Sequence, residues 1–260
     1  MDSRQTFILA IGGATGSGKT TLAKHLGRII PSLLVFQDDF APAEDQVPID
    51  PRYGWQDWDA KDGAIDWAKQ RRVFDTIRET GVVPEEHSSH DHLNEQVPVE
   101  IQDETEQRWK DKFARLSERC GEAYPKVVVT EGFLILVDPA TTRHFDLQFF
   151  IRADYDTLKD RRIKRQGYHT AEGGFWKDPE GYWDKCVWPA YLSAHAPLFV
   201  DGNVEQGDLT PGSPVELLQT PELSMDDMVN RTCAQLYEAI EQSRTGAAEE
   251  DDRPNGHSAL

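Results

Sequence analysis

The sequence contains few cysteines, and they stand far apart. It has three in 260 residues, Cys120, Cys186 and Cys233, and no two of them form a C-x-x-C pair. Proteins of oxidising compartments more often carry closely spaced cysteines that pair as disulfides. We therefore expect three unpaired thiols and a cytoplasmic location, with the nucleus as an alternative.

Positive charge is also scarce. Lys and Arg together number 28 against 46 Asp and Glu, which gives a net charge of −18. A surface of this sign repels nucleic acids and anionic membranes, so we expect neither as a partner. A phosphate site is local and is compatible with this charge. The expected partners are small molecules, and the sequence leaves the oligomeric state open between monomer and homodimer.

Long apolar runs are absent as well. No run reaches the roughly 18 residues that span a bilayer, and residues 1–5 are polar, so we expect neither a membrane segment nor a signal peptide. Hydrophobic residues still make up 38% of the chain. This share is typical of a globular protein with a packed core.

The most informative motif in the sequence is a glycine-rich stretch at residues 13–20. Residues 13–20 fit the pattern G-x-x-x-x-G-K-[ST] in full, between an apolar run at 7–12 and a helical pattern at 21–26. In such a P-loop, glycines let backbone N–H groups approach phosphate oxygens at a helix N-terminus. Lys19 can reach the β- and γ-phosphates, and the Thr20 hydroxyl can ligate Mg²⁺. The alternative, a strand-to-helix turn without a ligand, is disfavoured because Lys19 and Thr20 are both in place.

Apolar runs alternate with helical patterns along the chain. Strands are predicted at 6–12, 33–36, 126–131, 147–152 and 198–201. Helices are predicted at 19–30, 62–79, 105–120, 155–166, 182–196 with an interruption at Pro189, and 225–243. The alternation predicts an α/β fold of the P-loop kinase type, a mostly parallel five-stranded sheet with helices on both faces. The Gly- and aromatic-rich residues 167–181 are expected to form a small lid.

Two stretches interrupt this alternation and are interpreted as insertions, at about 81–124 and 202–221. Within the first, residues 81–103 carry His87, His90 and His92 and lack a sustained apolar pattern, so we expect a poorly ordered, solvated loop. A metal site is the alternative, but the spacing of the histidines does not favour it. We expect a single domain over residues 1–244 and a disordered tail over 245–260.

Carboxylates follow two of the predicted strands. Asp38 and Asp39 come after the strand at 33–36, and Glu131 ends the valine-rich strand. The carboxyl ends of parallel strands form the edge at which ligands bind. A buried carboxylate without a partner is costly, so Glu131 favours a metal-linked site over core packing. Asp38 could instead cap a helix, and we expect Asp39 to point away from the pocket or to act as an anchor.

The remaining motifs favour a small-molecule kinase over other P-loop proteins. The N-K-x-D motif of GTPases is absent from the sequence, and a single acid stands where motor ATPases carry an Asp-Glu pair. A kinase needs a carboxylate near the acceptor hydroxyl, cations for the phosphoryl group and a lid that excludes water. Asp38, Glu131, the basic cluster at 161–165 and the lid at 167–181 meet these needs in chain order.

Several motifs together resemble the nicotinamide riboside kinases, a uridine-kinase-like group of P-loop kinases. The resemblance spans residues 7–201 and is greatest to the longer fungal members. The matching segments are residues 13–20, Gln-Asp-Asp-Phe at 37–40, Trp-Asp at 58–59, Thr-Glu-Gly-Phe at 130–133, Arg161-Arg162 with Arg165, and Val-Trp-Pro-Ala-Tyr at 187–191. It implies that ATP and Mg²⁺ convert nicotinamide riboside, and often nicotinic acid riboside, to the mononucleotide in NAD salvage. The alternatives are a uridine/cytidine kinase and a catalytically inactive, nucleotide-binding P-loop protein.

The resemblance also implies a role for each matched residue. Asp38 would hold the ribose and act as base toward its 5′-hydroxyl, Asp59 would bind ribose hydroxyls, and Arg162 would contact the substrate. Trp58 stands where the family usually has a tyrosine against the nicotinamide ring, and its flat π-face suits a cationic pyridinium. A place in the core is the alternative for Trp58.

The remaining assignments concern ATP and the metal ion. Lys19 and Glu131 complete the catalytic set with Asp38, and Thr20 and Glu131 would hold Mg²⁺. The residues assigned to ATP are Gly13, Ala14, Thr15, Gly16, Ser17, Gly18, Lys19, Thr20, Thr21 and, from the lid, Arg161 and Arg165. A lid tyrosine between Tyr168 and Tyr182 is not identified, because the residues after Arg165 match the family poorly.

Overall fold

The computed structural model describes residues 6–94, 96–165, 167–170 and 173–251, with side chains as far as residue 243. Its strands are β1 (Thr6–Gly13), β2 (Ser32–Phe36), β3 (Lys126–Gly132), β4 (Leu147–Arg152), β5 (Tyr168–His169), β6 (Phe175–Trp176) and β7 (Val215–Gln219). Its helices are α1 (Lys19–Ile29), α2 (Trp67–Thr80), α3 (Asp103–Cys120), α4 (Pro139–Thr142), α5 (Tyr155–Lys164), α6 (Trp188–His195) and α7 (Met225–Asp251).

Five parallel strands form the central sheet in the order β2-β3-β1-β4-β7. Successive side chains of a strand point to opposite faces, so the apolar β1 supplies two cores. Ile8 packs with Phe74 of α2 in one core, and Leu9 packs with Leu22 of α1 in the other. The predicted α/β fold, with helices on both faces of a mostly parallel sheet, is confirmed.

The prediction of a fifth strand at 198–201 is wrong. Leu198 ends one 3₁₀ turn and Val200 begins another. Phe199, between them, forms an isolated antiparallel bridge with Leu209 and is buried against Phe150, with ring centroids 5.4 Å apart. The strand beside β4 is β7, which lies within the predicted insertion at 202–221. An apolar run as short as Leu198–Val200 does not distinguish a strand from a buried turn. The residues that flank β7 are rich in Pro and Gly, so the sequence pattern predicts a loop where the structure has a strand.

Several helix boundaries also differ from the predictions. The helix predicted at 182–196 changes character at Pro189, as expected: a π-helical turn, Trp183–Val187, leads directly into α6, and Pro189 stands in the first turn of α6. Helix α2 begins at Trp67 rather than at 62, since Asp66 caps it by accepting a hydrogen bond from the Lys69 amide at 2.9 Å. Helix α7 continues to Asp251, and residues 252–260 of the expected tail lie outside the described residues.

The histidine segment, residues 81–103, contains one 3₁₀ turn at Asp91–Leu93. It is not a solvated loop throughout: the His87 side chain is only 5% exposed and stacks on Phe40. Helix α3 follows it as predicted. All three cysteines are unpaired, which confirms that expectation. Within the described ranges, no helix has the length and apolar character needed to cross a membrane.

Candidate active site

The P-loop joins β1 to α1 at the carboxyl edge of the sheet. Gly13, Gly16 and Gly18 have φ angles of 135°, 76° and 103°, a region that favours glycine. A Cβ at Gly13 would lie 2.3 Å from the Ile151 carbonyl oxygen, so a side chain has no room there. The sequence therefore folds this loop into a cradle of backbone N–H groups at a helix N-terminus, which is a phosphate-binding geometry.

Two side chains in the cradle are poised for an anion. The Lys19 ammonium donates to the Ala14 carbonyl oxygen at 3.0 Å across the loop, and burial lowers its pKa although Glu131 and Asp38 act in the opposite direction. The hydroxyl oxygen of Ser17 is buried and has no hydrogen-bond partner among the described residues. A buried polar group without a partner is costly, and a phosphate oxygen would satisfy it.

Thr20 and Glu131 meet beside the P-loop. The Thr20 hydroxyl donates to Glu131 Oε1 at 2.8 Å, and Glu131 is 5% exposed. The register of β3 pairs Glu131 with Ile11 of β1 and with Phe36 of β2, which fixes it between the first two loops of this edge. Burial raises the pKa of Glu131 to about 7, against the effect of Lys19.

This pair of oxygen donors fits Mg²⁺. Magnesium is usually held by one or two protein oxygens, with substrate phosphates and water completing its shell. A cation would also favour the charged form of a carboxylate that burial now disfavours. Among the described residues, no three His, Cys, Asp or Glu side chains are grouped so as to hold a metal ion by themselves. The histidine segment therefore gives no support to the alternative of a separate metal site.

Asp38 lies in a 3₁₀ turn, Gln37–Phe40, that follows β2 directly. We call this the Asp38 turn. The Asp38 side chain is exposed, whereas its neighbours Gln37 and Asp39 are buried. Gln37 accepts a hydrogen bond from the Leu134 amide at 2.8 Å, and Asp39 accepts one from the His90 amide at 2.8 Å. Asp39 is thus an anchor, as expected, and Asp38 is the carboxylate that faces outward from the turn.

A pocket beside the P-loop brings the predicted substrate residues together; we call it the Trp58 pocket. Asp38, Trp58, Asp59 and Arg162 all contribute to its wall. Its full lining is Thr15, Asp38, Ala41, Trp58, Asp59, Ala64, Ile65, Phe133, Arg162, Tyr168, His169, Thr170 and Trp176. The Trp58 ring is half-buried at this wall, so it is part of the pocket and not of the core. Its backbone is fixed by a hydrogen bond from the Trp58 amide to the Tyr182 hydroxyl at 2.9 Å.

Asp59 and Arg162 contact each other within this wall. Arg162 donates to both Asp59 oxygens, at 3.1 and 3.2 Å, and to both oxygens of Asp178, at 2.7 and 3.0 Å. Burial alone would lower the pKa of Arg162, but these carboxylates raise it well above its ordinary value. The guanidinium therefore stays charged in a site that is almost closed to solvent.

The strands β5 and β6 pair as a short antiparallel hairpin over the pocket. The Tyr168 hydroxyl lies 2.9 Å from the Thr15 hydroxyl, which joins the hairpin to the P-loop. The guanidinium of Arg165 lies 4.6 Å from the Tyr168 ring, and Trp176 lies 6.0 Å from Trp58 between ring centroids. Tyr168 and Trp176 are two aromatic residues of the pocket that sequence reasoning did not assign. The signal available for them was the aromatic content of residues 167–181.

Two further residues assigned to ATP, Arg161 and Thr21, lie close to the P-loop. Arg161 donates to the Gly16 carbonyl oxygen at 3.0 Å, so it reaches the loop directly from α5. Thr21 follows Thr20 in the first turn of α1. The residues that the sequence assigned to ATP, metal and substrate are thus grouped around the P-loop, at the carboxyl edge of the sheet.

Comparison with known proteins agrees with this geometry. The sequence model of the phosphoribulokinase/uridine kinase family matches residues 8–172. The nicotinamide riboside kinase of Saccharomyces cerevisiae is 33% identical over 206 residues, which cover 79% of this chain and 84% of the relative. The enzyme of the same name from Eremothecium gossypii is 33% identical and covers 92% of this chain and 94% of its own. The one from Schizosaccharomyces pombe is 31% identical, with coverages of 88% and 98%.

The family model spans more than half of the chain, and these relatives match it along most of their length at over 30% identity. The chain therefore belongs to the phosphoribulokinase/uridine kinase family and, within it, to the nicotinamide riboside kinases.

Proposed function

We propose that this protein transfers the γ-phosphoryl group of ATP to the 5′-hydroxyl of nicotinamide riboside, giving the mononucleotide in NAD salvage. Nicotinic acid riboside is proposed as a second acceptor. The observation that carries the proposal is the Trp58 pocket, in which a carboxylate, an indole face and a buried Asp–Arg pair adjoin the P-loop. An acceptor hydroxyl in this pocket would face the terminal phosphate of a nucleotide bound by the cradle.

The nucleotide side of the reaction rests on the P-loop. Backbone N–H groups of residues 13–20 would hold the phosphates, and Lys19 would exchange its bond to the Ala14 carbonyl for the β- and γ-phosphates. Thr20 and Glu131 would hold Mg²⁺, which, when bound, neutralises negative charge on the phosphate oxygens. Arg161 and Arg165 would add positive charge from the lid side.

Asp38 is proposed as the general base. As the 5′-hydroxyl oxygen bonds to the γ-phosphorus, the bond from that phosphorus to the β,γ-bridging oxygen breaks and ADP leaves. The hydroxyl proton passes to the Asp38 carboxylate. The exposure of this side chain at the mouth of the pocket, on a turn whose neighbouring residues are both anchored, suits that task.

Substrate selection is assigned to the wall of the pocket. Trp58 would offer its π-face to the cationic pyridinium, an interaction that strengthens when water is excluded. Asp59 and Arg162 would contact the ribose hydroxyls. Each Asp59 oxygen has a second lone pair beyond the one that Arg162 uses, so the pair can bind a hydroxyl without separating.

The setting of the reaction is also proposed. The unpaired cysteines and the acidic surface fit the cytoplasm or the nucleus, with small molecules as partners and the chain as monomer or homodimer. We interpret residues 1–244 as one kinase domain.

Product analysis tests the proposal. Purified protein with ATP, Mg²⁺ and nicotinamide riboside should form one equivalent of ADP per mononucleotide, and phosphorus NMR should show a phosphomonoester coupled to the two C5′ protons. ADP without a mononucleotide would overturn the acceptor assignment. Tight ATP binding without turnover of any riboside would instead favour an inactive nucleotide-binding protein.

A further inference from the structure

The histidine segment lies against the active site and not apart from it. The His90 amide donates to Asp39 at 2.8 Å, and ring nitrogens of His87 and His90 lie 3.7 and 3.6 Å from the Asp39 carboxylate oxygens. The His87 ring stacks on Phe40 at 4.9 Å between centroids, with 21° between the planes. Residues 87–90 therefore cover the two residues of the Asp38 turn that follow Asp38 itself.

The next few residues of the segment reach two other parts of the site. Asp91 forms a salt bridge with Lys24 of α1 at 2.7 Å, one turn beyond Thr20. The Asn94 side-chain oxygen accepts a hydrogen bond from the His169 amide of β5 at 3.0 Å. His169 is the neighbour of Tyr168, whose hydroxyl meets Thr15 of the P-loop. One short segment thus contacts the Asp38 turn, α1 and the β5–β6 hairpin.

We propose that the segment from His87 to Asn94 is a positioning element of the catalytic site. Through Asp39 it fixes the turn that presents Asp38, and through Asn94 it fixes the strand that presents Tyr168. The proposal rests on the proposed function, because Asp38 is taken as the base in that reaction. Asp39 and Asn94 act through their neighbours and touch no reacting atom.

The geometry of the Asp38 turn makes the contact between Asp39 and the His90 amide important. Asp38 is exposed, so its position depends on the backbone on either side of it. On one side, Gln37 is held by the Leu134 amide, and a Cβ at Gly132 would come within 2.3 Å of its side chain. On the other side, the described contacts of Asp39 come from the histidine segment. A displacement of a reacting group by about 1 Å can cost about a hundredfold in rate.

The contact between Asn94 and the His169 amide should help to exclude water from the site. A hairpin that closes over a phosphoryl-transfer site keeps water away from the γ-phosphate. The Asn94 bond is a second link from β5 to the rest of the site, beside the one between Tyr168 and Thr15. Loosening it should admit water, so that ATP is hydrolysed without transfer to the riboside.

The first experiment compares Asp39→Ala with Asp39→Asn. The alanine variant loses the acceptor for the His90 amide, and kcat should fall about ten- to a hundredfold while the Kd for ATP is unchanged. The asparagine variant keeps an acceptor oxygen and should stay within about threefold of the wild type. His92→Ala, at an exposed histidine of the same segment, is the matched control and should change kcat by less than about twofold.

The second experiment compares Asn94→Ala with Asn94→Asp. The alanine variant should form about fivefold more ADP per mononucleotide than the wild type, because one hydrogen bond to the hairpin is lost. The aspartate variant keeps an acceptor for the His169 amide and should restore the coupling. Hydrogen–deuterium exchange gives a readout that needs no substrate. Exchange should rise in residues 37–41 for Asp39→Ala and in residues 167–170 for Asn94→Ala.

The outcomes separate this proposal from the proposed function. A wild-type enzyme that phosphorylates the riboside, with both alanine variants equal to it in kcat, coupling and exchange, would overturn the positioning role alone. A different outcome is a wild type that phosphorylates no riboside while hydrogen–deuterium exchange still increases in the two alanine variants. That result would overturn the proposed function and would support only the structural role of the Asp39 and Asn94 hydrogen bonds. Equal losses in the alanine and conservative variants would also contradict the proposal.

Discussion

Arg162 and Asp59 form a buried, bidentate salt bridge at the wall of the Trp58 pocket, with N–O distances of 3.1 and 3.2 Å. Arg162 has five N–H donors. Two donate to Asp59 and two to Asp178, so one is left for a substrate among the contacts described. The pair therefore supports the wall of the pocket, and one N–H group on Nη1 of Arg162 is not used by these carboxylates.

Removal of one charge from this pair should affect both stability and binding. Asp59→Asn should lower the free energy of unfolding by about 2–4 kcal/mol, because the buried guanidinium loses a partner, and it should raise KM for the riboside. Asp178→Asn is the matched control, since Asp178 contacts the same guanidinium but is 26% exposed. Its effect on stability should be smaller. Denaturant titration measures the free energy of unfolding, and initial rates measure KM. Equal changes in the two variants would contradict the expectation that Asp59 contributes more than Asp178.

Asp38 is expected to act in catalysis and not in nucleotide binding. Asp38→Ala should lower kcat by about 10²–10⁴, the usual contribution of a positioned general base. Because the side chain is exposed and makes no part of the P-loop cradle, the Kd for ATP should change little. Single-turnover kinetics and calorimetric titration with ATP test this prediction. Near-normal turnover in the variant would remove Asp38 from the mechanism.

Trp58 should select for positive charge on the pyridine ring. Trp58→Leu should weaken binding of nicotinamide riboside by about 5- to 30-fold, corresponding to about 1–2 kcal/mol of cation–π interaction. Binding of the reduced riboside, whose ring is uncharged, should weaken less. Trp58→Tyr keeps an aromatic face and serves as control. Competition binding measures all three, and an equal loss for the charged and the uncharged ring would show that Trp58 contributes only apolar contact.

His195 should make stability depend on pH. Its ring is 1% exposed, its Nδ1–H donates to the Tyr191 carbonyl oxygen at 2.8 Å, and burial lowers its pKa from 6.5 to about 4. As the pH falls below 6.5, His195 becomes protonated in the unfolded chain, whereas in the folded protein it stays neutral down to about pH 4. The free energy of unfolding therefore decreases as the pH is lowered through this window. A change from about pH 7.5 to pH 5 should therefore lower the free energy of unfolding by about 1–2 kcal/mol through His195 alone.

His195→Gln provides the comparison for this effect. Denaturant titrations at the two pH values should show a smaller loss of stability for the variant than for the wild type. The same pH dependence in both proteins would assign the effect to other groups.

The parts of the site that are contiguous in sequence could be predicted from it. The P-loop is one short pattern whose glycines, lysine and threonine each have a local physical reason, and the structure places it between β1 and α1. Asp38 and Glu131 were found because each follows an apolar run, and parallel strands bring their carboxyl ends to one edge. The sequence thus indicated which edge of the sheet would hold the site.

The parts that depend on contacts between distant residues could not be predicted in the same way. Asp59 and Arg162 are 103 positions apart, and nothing in either local pattern shows that they pair. The histidine segment was interpreted as a solvated loop because its contacts with Asp39 and His169 involve single polar groups without an apolar period. Strand β7 was missed because its neighbours in sequence are typical of loops, whereas its pairing with β4 decides its structure.

The most direct test of the account is the ratio of kcat/KM values across a panel of acceptors with ATP and Mg²⁺. The panel comprises nicotinamide riboside, nicotinic acid riboside, uridine and cytidine. The Trp58 pocket predicts a preference of about a hundredfold or more for the two pyridine ribosides, which corresponds to about 2.7 kcal/mol in transition-state stabilisation. A preference for uridine or cytidine would contradict the assigned acceptor, although the roles of Lys19 and Asp38 would stand.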